Sequence, residues 1–325
     1  MMTLPRRTLL GSAAGLIAAP ALAQPKWPNR PVQMLCPWAA GGGTDAVARI
    51  LAVLLEKDLG QPFNVVNRTG GSGVVGHTAI AQAAADGYTI GTITSEICML
   101  HWQGLTELTY RNYTPLGLMN SDAPGIQVNA SAPYQDVKSL ADAIKASAPG
   151  KLKASGTGQG GIWHLALAGW LNAMGLKADH VRWVPTNGAA PAMQDLVAGG
   201  LDFTTCSVPE ARAMLDAGRA RSLAVMAPAR IGAFPNIPTL KEAMGVDYAV
   251  GAIRVVAAPA GLPADLVAAI APALKRAYDT KEYQDFMNSR GFGLVYGDAA
   301  GAEKALAAAD LSLGNAMKAA GLAKA

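Results

Sequence analysis

The sequence predicts an α/β protein with parallel sheets, divided into two domains. From Val32 onward, short runs rich in β-branched residues alternate with longer stretches whose apolar residues recur at helical spacing. Several strands pass into the following helix through a glycine-rich loop. The roughly 300 residues that follow the N-terminal segment correspond to about two domains of ordinary size.

The N-terminal segment is typical of an export signal. Arg6 and Arg7 form a basic start, residues 9–19 are apolar, and Ala21-Leu22-Ala23 is an A-x-A cleavage site. The apolar stretch is shorter than the about 20 residues that a membrane-spanning helix requires. We therefore expect a signal peptide over residues 1–23 and a mature chain in the periplasm. The two arginines fit a twin-arginine signal, and an ordinary Sec signal is the alternative.

The charge balance argues against nucleic-acid binding. The chain has 27 Lys and Arg residues against 23 Asp and Glu residues. Loss of Arg6 and Arg7 with the signal lowers the basic count from 27 to 25, so the mature net charge is +2. A nucleic-acid-binding protein is expected to show a strong basic bias or basic clusters, and this sequence shows neither. No segment after the signal is predicted to span a membrane.

Cysteine and metal-ligand patterns predict neither a metal nor a cofactor. Cys36, Cys98 and Cys206 are far apart and odd in number, so they can form at most one disulfide. Whether any two of them pair stays open at this stage. Cys36 ends an apolar strand and is expected to be a buried small hydrophobe. No C-x-x-C or H-E-x-x-H spacing is present.

The first half of the chain repeats a strand, a loop and a helix. Asp45 is a candidate helix cap and Gly60 a helix stop. The predicted elements are strand 32–36, the helix between Asp45 and Gly60, strand 63–66, helix 74–85 and strand 88–92.

The rest of the chain continues the pattern and then adds C-terminal helices. The predicted elements are strand 152–155, helix 162–174, strand 181–184, a helix within 185–198, strand 202–205, strand 252–257 and helices 263–279, 282–290 and 299–320. Because no long linker separates the halves, we expect short ordered crossings at 116–128 and 223–228. This organisation predicts one lobe from residues 24–122 and 228–325, and a second from residues 123–227.

Two glycine loops, residues 38–45 and 155–161, are the candidate binding elements. Open α/β sheets bind ligands where strands end and helices begin. Glycine permits close approach of the backbone, and the first helical N–H groups are free donors at the positive end of the helix dipole. Such sites favour anions. The alternative is that these glycines only make tight turns.

The second loop also satisfies the dinucleotide pattern G-x-G-x-x-G at residues 156–161. That pattern requires an acidic residue near the end of the next strand to hold a ribose hydroxyl. The next strand ends in Val184-Pro185-Thr186-Asn187, which contains no acid. No lysine of the Walker type follows either loop, so a nucleotide cofactor is not expected.

Four further side chains are candidates for the site. His164 lies in the first turn after the second loop and could donate to a carboxylate, or be a packed histidine. Trp38 and Trp163 flank the two loops and could be cleft walls or core residues. Arg254 lies inside an apolar strand and needs a partner, which is either a structural acid or a ligand carboxylate.

A series of motifs extends over essentially the whole mature chain and resembles the substrate-binding proteins of tripartite tricarboxylate transporters, also called the Bug family. The motifs, in order, are Trp27-Pro28-Asn29-Arg30-Pro31, Pro37-Trp38-Ala39-Ala40-Gly41-Gly42-Gly43-Thr44-Asp45, Val66-Asn67-Arg68-Thr69-Gly70-Gly71-Ser72-Gly73, Asp86-Gly87-Tyr88-Thr89, Ser155-Gly156-Thr157-Gly158, His164-Leu165, Gly188-Ala189-Ala190-Pro191-Ala192, Ala198-Gly199-Gly200-Leu201-Asp202, Phe234-Pro235-Asn236-Ile237-Pro238-Thr239-Leu240 and Ala258-Pro259-Ala260-Gly261.

The resemblance implies a type II periplasmic-binding fold, in which crossing strands join two lobes and loop amides hold a ligand carboxylate. Together with the candidates above, it gives one set of predicted ligand-binding residues: Trp38, Ala40, Gly41, Gly42, Thr44, Ser95, Glu96, Ser155, Gly156, Thr157, Trp163, His164, Thr186, Asn187, Gly188 and Arg254. Several positions depart from the family pattern. Glu96 stands where histidine is frequent, and Thr186-Asn187 replaces a common tyrosine-lysine pair.

The resemblance implies a monomeric solute-binding protein rather than an enzyme. Its expected partners are a small carboxylate, either a di- or tricarboxylate or an aromatic acid, and the membrane permease subunits of a tripartite transporter. One alternative is a ligand-sensing partner of a membrane signalling protein. The other is an exported enzyme that uses His164 with Asp45 or Glu96.

Overall fold

Two five-stranded sheets organise residues 27–324, the part of the chain that the computed structural model describes. The predicted signal peptide lies outside these residues. The strands in chain order are β1 (Val32–Cys36), β2 (Phe63–Asn67), β3 (Thr89–Thr94), β4 (Tyr113–Asp122), β5 (Gly125–Asn129), β6 (Lys153–Ser155), β7 (Arg182–Trp183), β8 (Phe203–Thr204), β9 (Ala220–Val225) and β10 (Ala252–Pro259). The first sheet has the order β2-β1-β3-β10-β4, and the second has the order β7-β6-β8-β5-β9.

Ten α-helices lie among the described residues. They are α1 (Gly43–Leu59), α2 (Val74–Ala81), α3 (Val137–Ala146), α4 (Ile162–Ala173), α5 (Ala189–Val197), α6 (Val208–Asp216), α7 (Leu240–Met244), α8 (Ala264–Asp279), α9 (Lys281–Arg290) and α10 (Ala299–Ala319). None of the helices within residues 27–324 has the length and apolar character needed to cross a membrane. Helices alternate with strands around both sheets, which confirms the predicted α/β class.

Both sheets contain parallel strands, as expected, and each also contains one reversed strand. In the first sheet β1 is parallel to β2 and β3, whereas β10 is antiparallel to both β3 and β4. In the second sheet β6 is parallel to β7 and β8, whereas β5 is antiparallel to β8 and β9. The reversed strands are the two that the chain enters when it crosses from one sheet to the other.

The predicted helix boundaries are only partly confirmed. Asp45 was a candidate cap, but α1 begins at Gly43 after Gly42, so Asp45 lies within the first turn and is not the cap. Helix α1 ends at Gly60, which adopts φ +73° in the left-handed conformation that glycine tolerates. Helix α5 lies within the predicted stretch 185–198 and begins after Gly188, which has φ +150°. Helix α2 ends at Ala81, four residues before its predicted end. All three cysteines are buried and free, so no two of them pair.

Packing places the hydrophobic core on both faces of the first sheet. Val47, Leu51 and Leu55 form one buried face of α1 and join the cluster that contains Ile270 and Leu274 of α8. A larger cluster covers the second sheet and continues onto the opposite face of the first. Helices therefore pack on each sheet and hold the ends of its strands in fixed positions.

Candidate functional site

A small cavity lies between the two sheets. Its wall combines first-turn residues of α1, α4, α5 and α6 with the ends of strands β3 and β10 of the first sheet. The lining residues are Trp38, Gly42, Gly43, Thr44, Thr94, Glu96, Ala252, Ile253 and Arg254 on the side of the first sheet, and Thr157, Ile162, Trp163, Gly188, Ala189 and Glu210 on the side of the second.

Asp45 fixes the first glycine loop at the start of α1. Its carboxylate accepts the N–H of Gly41 at 3.0 Å, the side chain of Arg49 at 2.9 Å and the amide of Asn67 at 2.9 Å. Burial alone would raise the pKa of Asp45, but these hydrogen bonds lower it below its ordinary value. The same Asn67 amide donates to the carbonyl of Trp38 at 2.8 Å, so Asp45 and Asn67 hold the loop in one conformation.

A chain of hydrogen bonds connects this loop to the end of β3. The indole N–H of Trp38 donates to Thr94 Oγ1 at 3.2 Å, and Thr94 Oγ1 donates in turn to Glu96 Oε2. His77 supports the same strand end: its Nδ1 donates to the carbonyl of Gly73 at 2.7 Å, and its Nε2 accepts the N–H of Thr94 at 3.2 Å. Trp38 and Glu96 therefore have fixed positions in the cavity wall.

Two glutamates hold the sheets together at helix N-termini. Glu96, which follows β3, accepts the N–H of Ile162 in the first turn of α4 at 3.1 Å. Glu210, in α6, accepts the N–H of Gly43 in the first turn of α1 at 3.1 Å. Each glutamate thus reaches the other sheet and occupies a position that favours a negative charge. Two further bonds cross the same gap: Ala39 N–H donates to the carbonyl of Asn187 at 2.8 Å, and Gln103 donates to that of Gly160 at 3.2 Å.

Four hydrogen bonds to groups of the protein itself hold Arg254. Its Nη1 donates to Asp122 and Asn120, its Nη2 lies 3.2 Å from Glu210 Oε1, and its Nε donates to Thr44 Oγ1 at 3.1 Å. Of the two partners considered for Arg254, the structure thus provides the structural acid. Burial alone would lower the pKa of Arg254, but the two carboxylates raise it. Burial raises the pKa of Glu210, against the opposing effect of Arg254.

The cavity brings together only part of the predicted site. Eight predicted residues line it: Trp38, Gly42, Thr44, Glu96, Thr157, Trp163, Gly188 and Arg254. The other eight, Ala40, Gly41, Ser95, Ser155, Gly156, His164, Thr186 and Asn187, are not among the lining residues. Some of these have internal partners. Ser95 Oγ accepts the N–H of Ile253 at 2.8 Å, and Ser155 Oγ donates to the carbonyl of Val184 at 2.6 Å.

His164 faces away from this cavity. Its ring stacks on Trp183 with the centroids 4.6 Å apart, and it lines a separate surface cavity beside α10. Its Nδ1 accepts the N–H of Gly160 at 2.9 Å. Burial lowers the pKa of His164 to about 4, so the ring is neutral near pH 7. In the structure the histidine fixes the second glycine loop.

Gly43 lies in the first predicted loop, whereas the sequence interpretation missed six other lining residues: Thr94, Ile162, Ala189, Glu210, Ala252 and Ile253. Ser207 and Glu210 form a capping box at the start of α6, where Ser207 N–H donates to Glu210 Oε2 at 3.1 Å. The S-x-x-E spacing that produces this cap is visible in the sequence. The second oxygen of Glu210 reaches Gly43 through tertiary packing, which no local pattern indicates.

Comparisons with known proteins agree with this geometry. Residues 47–322 match the family described as "Tripartite tricarboxylate transporter family receptor". The UPF0065 protein in the tcbD-tcbE intergenic region of Pseudomonas sp. strain P51 is 32% identical over 267 residues, which cover 81% of this chain and 78% of that protein.

Solved structures have the same architecture. Rpa4515 of R. palustris, solved with adipate, gives a TM-score of 0.86 at 26% identity and covers 91% of this chain and 99% of its own. The periplasmic binding protein BugD gives a TM-score of 0.83 at 27% identity, with coverage of 92% and 100%. The resemblance seen in the motifs is confirmed, and this chain belongs to the tripartite tricarboxylate transporter (TctC) receptor family.

Proposed function

We propose that this protein is an extracytoplasmic solute receptor. It encloses a small carboxylate, a di- or tricarboxylate or an aromatic acid, between two lobes and delivers it to the membrane permease of a tripartite transporter. The observation that carries the proposal is the cavity between the sheets, because its wall contains first-turn residues of α1, α4 and α5. Helix N-termini that converge on one cavity favour a ligand with negative charge.

The relatives support this choice of ligand class. Rpa4515, which shares the fold with a TM-score of 0.86, was solved with adipate. Trp38, Trp163 and Ile253 give the cavity of this chain apolar surface beside its polar groups. An organic acid with an apolar body suits such a wall.

The proposed lobes follow the two sheets. The first lobe comprises residues 24–122 and 228–325, and the second comprises residues 123–227. Binding would close the lobes, as in other proteins that close by hinge motion around a ligand. The hydrogen bonds of Glu96 to Ile162 and of Glu210 to Gly43 are contacts that such a closed form requires.

The geometry gives little support to an enzyme. His164 lies outside the cavity that Glu96 lines, and Asp45 is occupied by Arg49, Asn67 and the N–H of Gly41. The two pairs considered for catalysis, His164 with Asp45 and His164 with Glu96, therefore do not share a cavity. A periplasmic location and a monomeric state are parts of the same proposal.

Mass spectrometry of gently purified mature protein tests the function directly. We expect an organic acid to co-purify, and the unfolding temperature of ligand-free protein to rise when that acid is added. The acid should be recovered unchanged after incubation, since a receptor carries out no chemistry. If no acid co-purifies and a broad panel of di-, tri-, aromatic and amino-substituted carboxylates gives neither a thermal shift nor a heat of binding, the proposal is wrong.

A further inference from the structure

The charges around the cavity differ from those expected for a dicarboxylate site. Three ionisable side chains line it: Glu96, Glu210 and Arg254. Arg254 is 2% exposed, and its positive charge is already met by Asp122 directly behind the wall. The wall therefore contains more acidic side chains than cationic ones.

The glutamates also occupy the places where ligand carboxylates would be stabilised. Glu96 accepts the N–H of Ile162 at α4, and Glu210 accepts that of Gly43 at α1. Four helices have first-turn residues in the wall. Those of α1 and α4 therefore already have an anion at the N-terminus, and the capping box of Ser207 and Glu210 satisfies that of α6. The fourth is α5, whose first residue Ala189 also lines the cavity. One anion position is open where a dicarboxylate would need two.

Thr157 independently indicates that a ligand completes this wall. The residue lines the cavity and is 5% exposed, yet its Oγ1 has no hydrogen-bond partner among residues 27–324. A buried hydroxyl without a partner is costly, so such groups commonly bind a ligand or water. Thr157 can donate to a carboxylate oxygen, next to two glutamates that can only accept when ionised.

From these contacts we propose that the cavity selects a small acid that carries one carboxylate and one cationic nitrogen, with Glu96 and Glu210 as the residues that determine this specificity. The ligand carboxylate contacts Thr157 and the start of α5, and the nitrogen donates to the glutamates. This inference rests on the proposed function, because it names the acid class for the same cavity.

Matched pairs of compounds test the inference. The pairs are succinate with β-alanine, glutarate with 4-aminobutanoate, and adipate with 5-aminopentanoate, in which an ammonium group replaces one carboxylate at constant methylene number. Isothermal titration calorimetry at pH 7.5 on ligand-free mature protein gives both affinities for each pair. We expect at least one ammonium compound to bind about tenfold or more tightly than its dicarboxylate partner.

Variants assign the preference to the glutamates. Glu96→Gln and Glu210→Gln keep the side-chain size and remove the charge, and each should lower the ammonium preference by about tenfold. Glu303→Gln on the exposed face of α10 is the control and should leave the preference as it is. Thermal unfolding of each variant shows whether it is folded. A preference that is unchanged in both cavity variants overturns the role of the glutamates.

The remaining outcomes separate the inference from the proposed function. If the dicarboxylate binds more tightly in every pair that binds, the inference is wrong, but the proposed function as a carboxylate receptor still stands. Failure of every ammonium compound to bind also overturns the inference, whereas the function itself fails only when no acid of any class binds and none co-purifies.

Discussion

The Oε1 atom of Glu210 lies 3.1 Å from the backbone nitrogen of Gly43, so a carboxylate of the second lobe caps the first helix of the first lobe. The contact is possible because Gly43 has no side chain. A Cβ atom at this position would lie 2.8 Å from Glu210 Oε1 and 2.5 Å from Arg254 Nη2. Close approach of the lobes at this point therefore depends on glycine.

Gly43→Ala should favour an open arrangement of the lobes. Alanine is compatible with the helical backbone of α1 and is the better helix former, so we expect the fold to persist. The new methyl group prevents the approach of Glu210, which should lower the affinity for the bound acid by about tenfold. Small-angle X-ray scattering should show a larger radius of gyration for the variant with saturating acid than for the parent protein.

Gly232→Ala is the matched control, because a Cβ there has open space around it. Its scattering curve and affinity should equal those of the parent. Equal affinity in Gly43→Ala and the parent protein would contradict the importance of this contact.

Arg254→Leu should be strongly destabilising. The change leaves Asp122 and Glu210 buried without their cation, and loss of one partner from a buried ion pair costs about 3–5 kcal/mol. The loss should become smaller as the pH falls, because burial raises the pKa of Glu210 and its protonation removes part of the uncompensated charge. Urea unfolding at pH 7.5 and pH 5 measures both effects.

A surface pair provides the comparison for Arg254. Arg276 lies 2.6 Å from Asp58 in a solvent-exposed ion pair. Arg276→Leu should cost at most about 1 kcal/mol. A similar small loss for Arg254→Leu would show that the buried cluster contributes little to stability.

Thr157→Val should separate binding from stability. Valine has nearly the same shape, and the hydroxyl that it removes has no partner among the described residues. The free energy of unfolding should therefore stay the same or rise slightly, whereas the loss of one hydrogen bond should weaken acid binding by about three- to tenfold.

Thr205→Val is the control variant, because the hydroxyl that it removes has a hydrogen-bond partner within the protein. Thr205 Oγ1 donates to the carbonyl of Trp163 at 2.7 Å, so its loss should lower the free energy of unfolding by about 1 kcal/mol. If Thr157→Val is as destabilising as Thr205→Val and binds the acid normally, the hydroxyl of Thr157 does not contact the ligand.

Local sequence signals predicted the elements of the fold better than their arrangement. Strand β1 occupies residues 32–36 as predicted, and Gly60 ends α1, because alternation of apolar residues and a left-handed glycine act within a few positions. The directions of β5 and β10 were not predicted. Strand direction depends on which sheet the chain enters after a crossing, and that is a property of the whole topology.

The candidate site shows the same difference between local signals, which the sequence reveals, and tertiary contacts, which it does not. The glycine loops were found from the sequence because glycine and helix starts are local signals. The position of His164 on the far side of its loop depends on packing against Trp183. The hydrogen bond between Glu210 and Gly43 joins residues that lie 167 positions apart in the sequence. Contacts of this range depend on closure of the lobes, which a pattern of neighbouring residues does not encode.

Acid should destabilise the protein well above the pH at which carboxylates titrate. Burial lowers the pKa of both His77 and His164 to about 4, against about 6.5 in an unfolded chain. Between these values the unfolded chain binds more protons, so stability falls as the pH drops from about 6.5 to 4. Each histidine can contribute about 3 kcal/mol to this loss.

Urea unfolding at several pH values tests this slope. The free energy of unfolding should be nearly constant between pH 7 and 8 and should decrease steadily below pH 6.5. His164→Gln should reduce the decrease by about half, because His77 still titrates. A parent protein that is equally stable at pH 7 and pH 5 would show that these histidines can gain a proton in the folded state.

The three cysteines should be unreactive in the folded protein. Cys36, Cys98 and Cys206 are each fully buried and free. Burial raises the pKa of the Cys36 thiol to about 12 and raises those of the other two as well, so almost no thiolate is present near neutral pH. Ellman's reagent should detect no thiol in native protein and three in 6 M guanidinium chloride without reductant. Release of only one thiol on unfolding would reveal a disulfide between the other two. Rapid labelling of the native protein would show that at least one buried cysteine becomes accessible without global unfolding.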